Sequence, residues 1–260
     1  MSTIISFHSF RGGTGKTNTA ANLAVTMVLR GKRVGIVDTD IQSPGIHVLF
    51  GLDEDSIKYT LNDYLWGRCP IEATAYDVSS VLWQGGGQPD EHGRAVCLRL
   101  LPSSIKASAI ARVLREGYDV DRLNDGYREV INHLSLDYLV IDTHPGLNHE
   151  TLLSIAVSDV LLIMLRPDQQ DIQGTGVTVE VARKLAVPKL LLLVNKVLPE
   201  LGAHDDIRQQ VESTYNAKVA RVLPLTEDMV RLASGGLFIQ QYPDHPWSQE
   251  LRALADEIMG

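Results

Sequence analysis

A three-layer, doubly wound α/β fold, with a mostly parallel β-sheet flanked by helices, is what this 260-residue chain predicts. Two observations carry that expectation. Short apolar runs alternate with amphipathic stretches from end to end, the pattern of strands buried on both faces of a parallel sheet and joined by helices. This βαβ repetition implies right-handed crossovers and a ligand beyond the C-terminal ends of the strands, and a glycine-rich turn falls directly between the first apolar run and the first amphipathic stretch.

Taken in order, the strands are expected at residues 3–7, 33–37, 98–101, 138–141, 160–165, 190–194 and 219–223. The helices between them fall at 16–30, 121–134, 150–157, 176–185 and 206–215. Residues 83–91 combine Gly, Pro and polar residues between two β-prone stretches, 78–83 and 95–101, and read as a mobile surface hairpin or loop. The last segment, 246–259, places Trp247, Leu251, Leu254 and Ile258 at helical spacing, with Glu250, Arg252, Asp256 and Glu257 on the other face. An acidic amphipathic helix is a poor match for anionic lipid, so this helix is expected to dock on the chain's own core and no stable membrane anchor is expected.

Composition narrows the function. With 44% hydrophobic residues and 22% charged, the chain is of ordinary globular make-up, and one domain over residues 1–260 is expected. The formal charge of −8 argues against a general polycation surface. Cys69 and Cys97 form no CxxC and no Cys/His cluster, which speaks against a zinc site or a disulfide framework. Lacking a charged leader or an apolar run of spanning length, the sequence is expected to be cytoplasmic.

The chemistry begins at Phe10-Arg11-Gly12-Gly13-Thr14-Gly15-Lys16-Thr17. Glycines let a backbone wrap closely round a polyphosphate and aim successive N–H groups at it, and the helix N-terminus adds its positive end. Lys16 supplies a charge for the β- and γ-phosphates, and the Thr17 hydroxyl is placed to ligate Mg²⁺. The strict GxxxxGK[ST] pattern fails, because its first position falls on Phe10.

Three acids follow. Asp38 and Asp40 are spaced by two at the end of the second strand, so in a continuing strand both point to one side. There they can orient a water and hold a metal's hydration shell, or else cap the segment that follows. Asp142 ends a strongly apolar strand, where an unpaired charge is costly unless a cation or donor meets it. Gly146 can offer a backbone N–H to a γ-phosphate, which makes residues 143–148 a nucleotide-sensing switch. His144 reads either as a proton-responsive addition or as a plain surface residue. Asn195 can pair with an adenine edge, or can simply cap a turn. Because Val197 and Leu198 follow it where a guanine reader has Asp, ATP is favoured over GTP.

Arg11, Gly12 and Gly13 ahead of Gly15-Lys16-Thr17 resemble the deviant phosphate loop, Lys-Gly-Gly-x-Gly-Lys-Thr, of the ParA/MinD family of positioning ATPases. The likeness continues at 38–42, at 140–146 (its Walker B and switch II segment), at 193–196 and at Leu223-Pro224-Leu225 with 233–236. The resemblance spans nearly the whole chain in order. It implies that Arg11, Gly12, Gly13, Thr14, Gly15, Lys16, Thr17, Asn18, Gly146, Asn195 and Pro224 hold ATP. It further implies that Thr17, Asp38 and Asp142 hold Mg²⁺, and that Lys16, Asp38, Asp40 and Arg11 serve hydrolysis, Asp40 positioning the water. His144 stands where the family usually has Pro.

In that family the lysine at the Arg11 position reaches the neighbouring subunit's nucleotide, so the resemblance implies a homodimer sandwiching ATP, with Arg11 as the crossing cation or else solvent-facing beside the loop. An adaptor or activator protein is the implied partner. The cargo would be a plasmid, a chromosome region or a microcompartment. Between residues 181 and 231 eight basic residues face six acidic ones, a slight excess that a dimer would double. Nonspecific DNA, and with it the nucleoid, is therefore the expected matrix, ParA-like rather than MinD-like. The alternatives are a metal-cluster carrier of the same fold, a membrane-surface regulator of cell division, and a module that senses ATP without turnover.

Overall fold

The computed structural model describes residues 2–83, 89–90, 93–201 and 203–260. Its eight-stranded sheet comprises β1 (Thr3–His8), β2 (Val34–Asp38), β3 (Tyr76–Asp77), β4 (Leu98–Leu101), β5 (Tyr138–Asp142), β6 (Val160–Leu165), β7 (Lys189–Val197) and β8 (Val219–Pro224). The spatial order is β3-β4-β2-β5-β1-β6-β7-β8, parallel except where β3 runs antiparallel to β4. From β1 the chain steps out to β2 and β4, returns to β5 between β1 and β2, then crosses to β6, β7 and β8. The winding therefore reverses beside β1, where open α/β sheets bind ligands.

Successive strand residues alternate between two helical layers. Ile5, Phe7, Ile36, Val140 and Leu162 pack under the helices Lys16–Leu29 and Pro246–Met259, together with Leu23, Met27, Trp247 and Leu251. On the opposite face Val37, Leu139 and Ile141 meet Leu123, Tyr127 and Val130 of the helix Val120–Leu134. Farther along that face Leu161, Ile163 and Val194 meet Ile155, Val179 and Val211. The C-terminal helix docks on the core as its apolar spacing implied, with Glu257 anchored to Arg221 and Lys218 at 2.6 Å each.

The expected helix at 176–185 begins earlier, at Gln169, because Asp168 caps it by accepting from the Asp171 N–H. Residues 78–83 do not form a strand: Ser79–Val81 is a 3₁₀ turn, and Tyr76–Asp77 pairs with β4 instead. Most of the 83–91 loop lies outside the described residues, apart from Trp83, Pro89 and Asp90. Among the described residues no helix is long and apolar enough to cross a membrane.

Candidate functional site

The phosphate loop runs from the end of β1 to the helix at Lys16 with Gly13 at φ +76° and Gly15 at φ +97°, a region that side-chain-bearing residues rarely adopt. A Cβ on Gly15 would stand 2.6 Å from Asn195 Nδ2, so the loop is closely backed there as well. Lys196 Nζ donates to the Gly13 carbonyl (2.8 Å) and Asn195 Nδ2 to the Thr14 carbonyl (2.8 Å). With both carbonyls turned toward β7, the loop is braced in its curved form. The first helical turn holds Lys16 and Thr17, with the Lys16 ammonium largely out of solvent.

The three predicted acids converge on this loop. Asp38 and Asp142 are register partners on β2 and β5, and each is only 1% exposed. Burial pushes the Asp38 carboxyl well above its ordinary range, Asp142 and Asp40 add to that, and N–H groups of Gly45 (3.2 Å) and Asp40 (3.1 Å) offset part of it. Asp142 is raised to about 6 by burial, against the opposing pull of Lys16 and the Thr17 hydroxyl. Lys16 is lowered by the same burial while Asp142 and Asp40 favour its charged form. The arrangement is a cation and three carboxylates held close together away from water, an expensive state without a ligand.

Three buried polar atoms in and beside the site have no hydrogen-bond partner among the described residues, Asp142 Oδ1, Thr14 Oγ1 and His8 Nε2. An orphan carboxylate oxygen and an orphan hydroxyl beside a lysine fit the donor set of a hydrated divalent cation and a phosphate. Thr17, Asp38 and Asp142 are thus a chemically suitable set of oxygens for Mg²⁺.

Other predicted residues stand differently from their expected roles. The Gly146 N–H, expected to meet a γ-phosphate, donates here to the Ser9 carbonyl (2.9 Å). Asn195, expected at an adenine edge, has its oxygen engaged by the Lys196 N–H (2.9 Å) as well as its amide on Thr14. It nonetheless lines, with Asn18, Pro224, Met229 and Trp247, a cleft that opens beside Gly15. Arg11 is exposed and bonds Gln170 in the same chain. His144 Nδ1 lies 2.7 Å from Asp40 Oδ1, so it contacts the very carboxylate assigned to the water.

Sequence reasoning missed the supports. His8, buried at the end of β1, meets Thr143 Oγ1 (3.0 Å), whose hydroxyl donates to the Phe7 carbonyl (2.7 Å), so His8 Nδ1 carries the proton in that contact. Burial, helped by Lys16 and His144, pushes His8 down to about 3 and leaves it neutral. Phe10, which breaks the strict loop pattern, lies against Gly174, where a Cβ would come within 1.9 Å of its ring. A glycine inside a helical stretch opposite an aromatic in the loop was the available signal. The basic excess of the C-terminal third is mostly engaged: Arg183, Lys189, Lys196 and Arg208 bond carbonyls, and Lys218, Arg221 and Arg231 pair with carboxylates. Cys97 is buried and Cys69 half-buried, its thiol raised by burial.

A curved glycine loop, a buried lysine at a helix N-terminus and strand-end carboxylates beside the sheet's reversal define a P-loop nucleotide-binding protein. Comparison with known proteins agrees with this. A family profile described as an AAA domain matches residues 2–188. An uncharacterised ATP-binding protein of Methanocaldococcus jannaschii is 26% identical over 100% of this chain and 89% of its own. The iron-sulfur cluster carrier protein of Haemophilus influenzae is 28% identical over 98% of this chain and 65% of its own. The septum site-determining protein MinD of Pyrococcus horikoshii, solved with Mg-ADP, superposes with a TM-score of 0.79 at 21% identity, over 99% of this chain and 96% of that one. The chain belongs to the ParA/MinD family of P-loop ATPases.

Proposed function

We propose that this chain is an ATP-hydrolysing dimerisation switch that positions an intracellular cargo. The observation that carries the reading is the deviant loop, Arg11-Gly12-Gly13 before Gly15-Lys16-Thr17, set against the buried carboxylates of Asp38 and Asp142, the second with one oxygen unpartnered. Lys16 and the loop N–H groups bind the phosphates, and the cleft beside Gly15 takes the base. Asp40 orients the attacking water, with Asp38 supporting it from the strand end. Mg²⁺, when held by Thr17, Asp38 and Asp142, neutralises charge on the phosphates. Arg11 leaves Gln170 and reaches the partner's nucleotide, where its guanidinium can fork onto phosphate oxygens.

Gly146 reports the state of the site: to meet a γ-phosphate its N–H must leave the Ser9 carbonyl, which moves the segment that follows. For the matrix we infer nonspecific DNA, gripped by two copies of a modest basic surface in the closed dimer. Because most of those cations are already engaged, retention on DNA should require ATP and fall steeply with salt. Light scattering with ADP, with ATP, and with ATP and Asp40→Ala tests the switch. The expected result is a doubled mass with ATP that persists in Asp40→Ala; a mass indifferent to nucleotide overturns it.

A further inference from the structure

At the C-terminal end of β4, on the far side of Asp38 from the phosphate loop, lies a second cavity of about 350 Å³. Its volume is within the range of small-ligand sites, and it lies at the C-terminal side of the sheet, the side that carries the phosphate loop, but away from the reversal beside β1. Ionisable side chains on its wall number four cations, Lys58, Arg68, Lys106 and Arg112, against two acids, Glu54 and Asp63, in a chain whose overall charge is −8.

The two arginines have carboxylate partners, and the two lysines have none among the described residues. Arg68 and Arg112 both lie over the Trp66 ring, at 4.7 and 4.4 Å from its centroid, so two like charges converge on one aromatic side chain. Asp63 serves Arg68 at 3.0 Å but also accepts from the Thr60 N–H and hydroxyl, and Glu116, at 2.7 Å from Arg112, lies outside the cavity wall. Lys58 and Lys106, both exposed, form no ion pair among the described residues, although Lys58 lies over the Tyr59 ring at 5.2 Å. The hydroxyls of Thr60, Ser103, Ser104 and Ser108 complete the wall. Ser103 also donates to the Asp38 carbonyl at 2.7 Å, and the Ser104 N–H is fixed by Asn62 Oδ1 at 2.7 Å, so the wall is rigidly tied to the strand that carries Asp38.

We propose that this cavity binds a small organic anion carrying two or more negative charges as carboxylate or phosphate, distinct from the nucleotide, with Lys58 and Lys106 as its principal charge partners. A concave site of this volume suits a small molecule better than an extended peptide, and the Ser104 and Ser108 hydroxyls, unlike those of Thr60 and Ser103 that already donate to Asp63 and Asp38, can supply directional donors to a compact polyanion.

Isothermal titration at constant ionic strength with citrate, with glycerol 3-phosphate and with a hexaglutamate peptide tests this. The protein is used as wild type, as Lys16→Ala and as Lys58→Ala/Lys106→Ala, with circular dichroism confirming that each is folded. Saturable binding of citrate or glycerol 3-phosphate is expected, unchanged by Lys16→Ala and weakened roughly tenfold or more by the double lysine variant. Citrate binding alone assigns carboxylates, and glycerol 3-phosphate binding alone assigns phosphates. Binding lost in Lys16→Ala but kept in the double variant would put the anion in the phosphate loop and overturn the proposal. Binding of hexaglutamate alone, or of none of the three, would overturn it too.

Discussion

Asp171 and Asp142 are both 1% exposed, one in the helix that follows β6 and the other at the C-terminal end of β5, yet they sit in opposite circumstances. Asp171 accepts three hydrogen bonds from Arg166, through its backbone N–H (3.1 Å), Nε (2.9 Å) and Nη2 (3.3 Å). Asp142 has one oxygen with no partner and a carboxyl raised by burial. The first is a finished ion pair that holds the start of the helix Gln169–Lys184 against β6. The second is met only in part inside the chain, by Lys16 and the Thr17 hydroxyl, and leaves one oxygen for a ligand. Burial alone does not mark a functional site; a buried carboxylate oxygen without a partner, set beside a lysine and a glycine loop, is what distinguishes Asp142.

Substitution should separate the two. Asp142→Asn is expected to lower ATP hydrolysis by about 10²–10³-fold, the scale of losing a site's electrostatic partner, while the nucleotide-free protein melts no lower than wild type. Steady-state phosphate release and calorimetric melting measure the two halves. Asp171→Ala should do the reverse: removing one partner of a buried pair costs about 3–5 kcal/mol, a fall in Tm on the order of 10 °C, with turnover at low temperature close to wild type. If Asp171→Ala abolished turnover and spared stability, the contrast would be wrong.

Gly174→Ala probes the strap between the loop and that same helix. The new methyl must displace the Phe10 ring, so a loss of about 1–3 kcal/mol is expected, together with weaker ATP binding, while Phe10→Ala/Gly174→Ala should recover part of the stability. The double-mutant cycle measures the coupling.

Asp38 sharpens the comparison through pH. Its folded carboxyl titrates above the unfolded one, so between the two values the folded state binds the extra proton and stability falls as pH rises. Asp38→Asn removes that penalty. It should stabilise the nucleotide-free protein by about 1 kcal/mol at neutral pH, with the advantage shrinking as pH falls toward the unfolded carboxylate range near 4. Chemical denaturation at several pH values would show this, and an advantage that grew on acidification would contradict it.

Much of this was legible in the chain. Strands β4 and β6 and the C-terminal helix begin and end where their apolar spacing placed them, because both faces of each strand are buried and only one face of that helix is. Lys16, Asp38 and Asp142 came together as expected, since strand ends in a parallel sheet deliver their next residues to one edge. The helix Gln169–Lys184 begins seven residues ahead of the expected start at 176, and only the fold shows Phe10 packed against Gly174 in that added stretch. The tie from Asn195 to Thr14 spans 181 residues, and no local pattern reports such a contact. His144 beside Asp40 is legible only as an unusual residue; its partner is a product of β2 and β5 lying side by side.

Everything in the functional reading depends on the loop after β1 gripping a triphosphate with Lys16. Isothermal calorimetry of ATP with Mg²⁺ against wild type and Lys16→Ala tests that grip directly. A saturable heat is expected for wild type, and its loss in a folded Lys16→Ala. Equal heats from both proteins, or none from wild type, would contradict it.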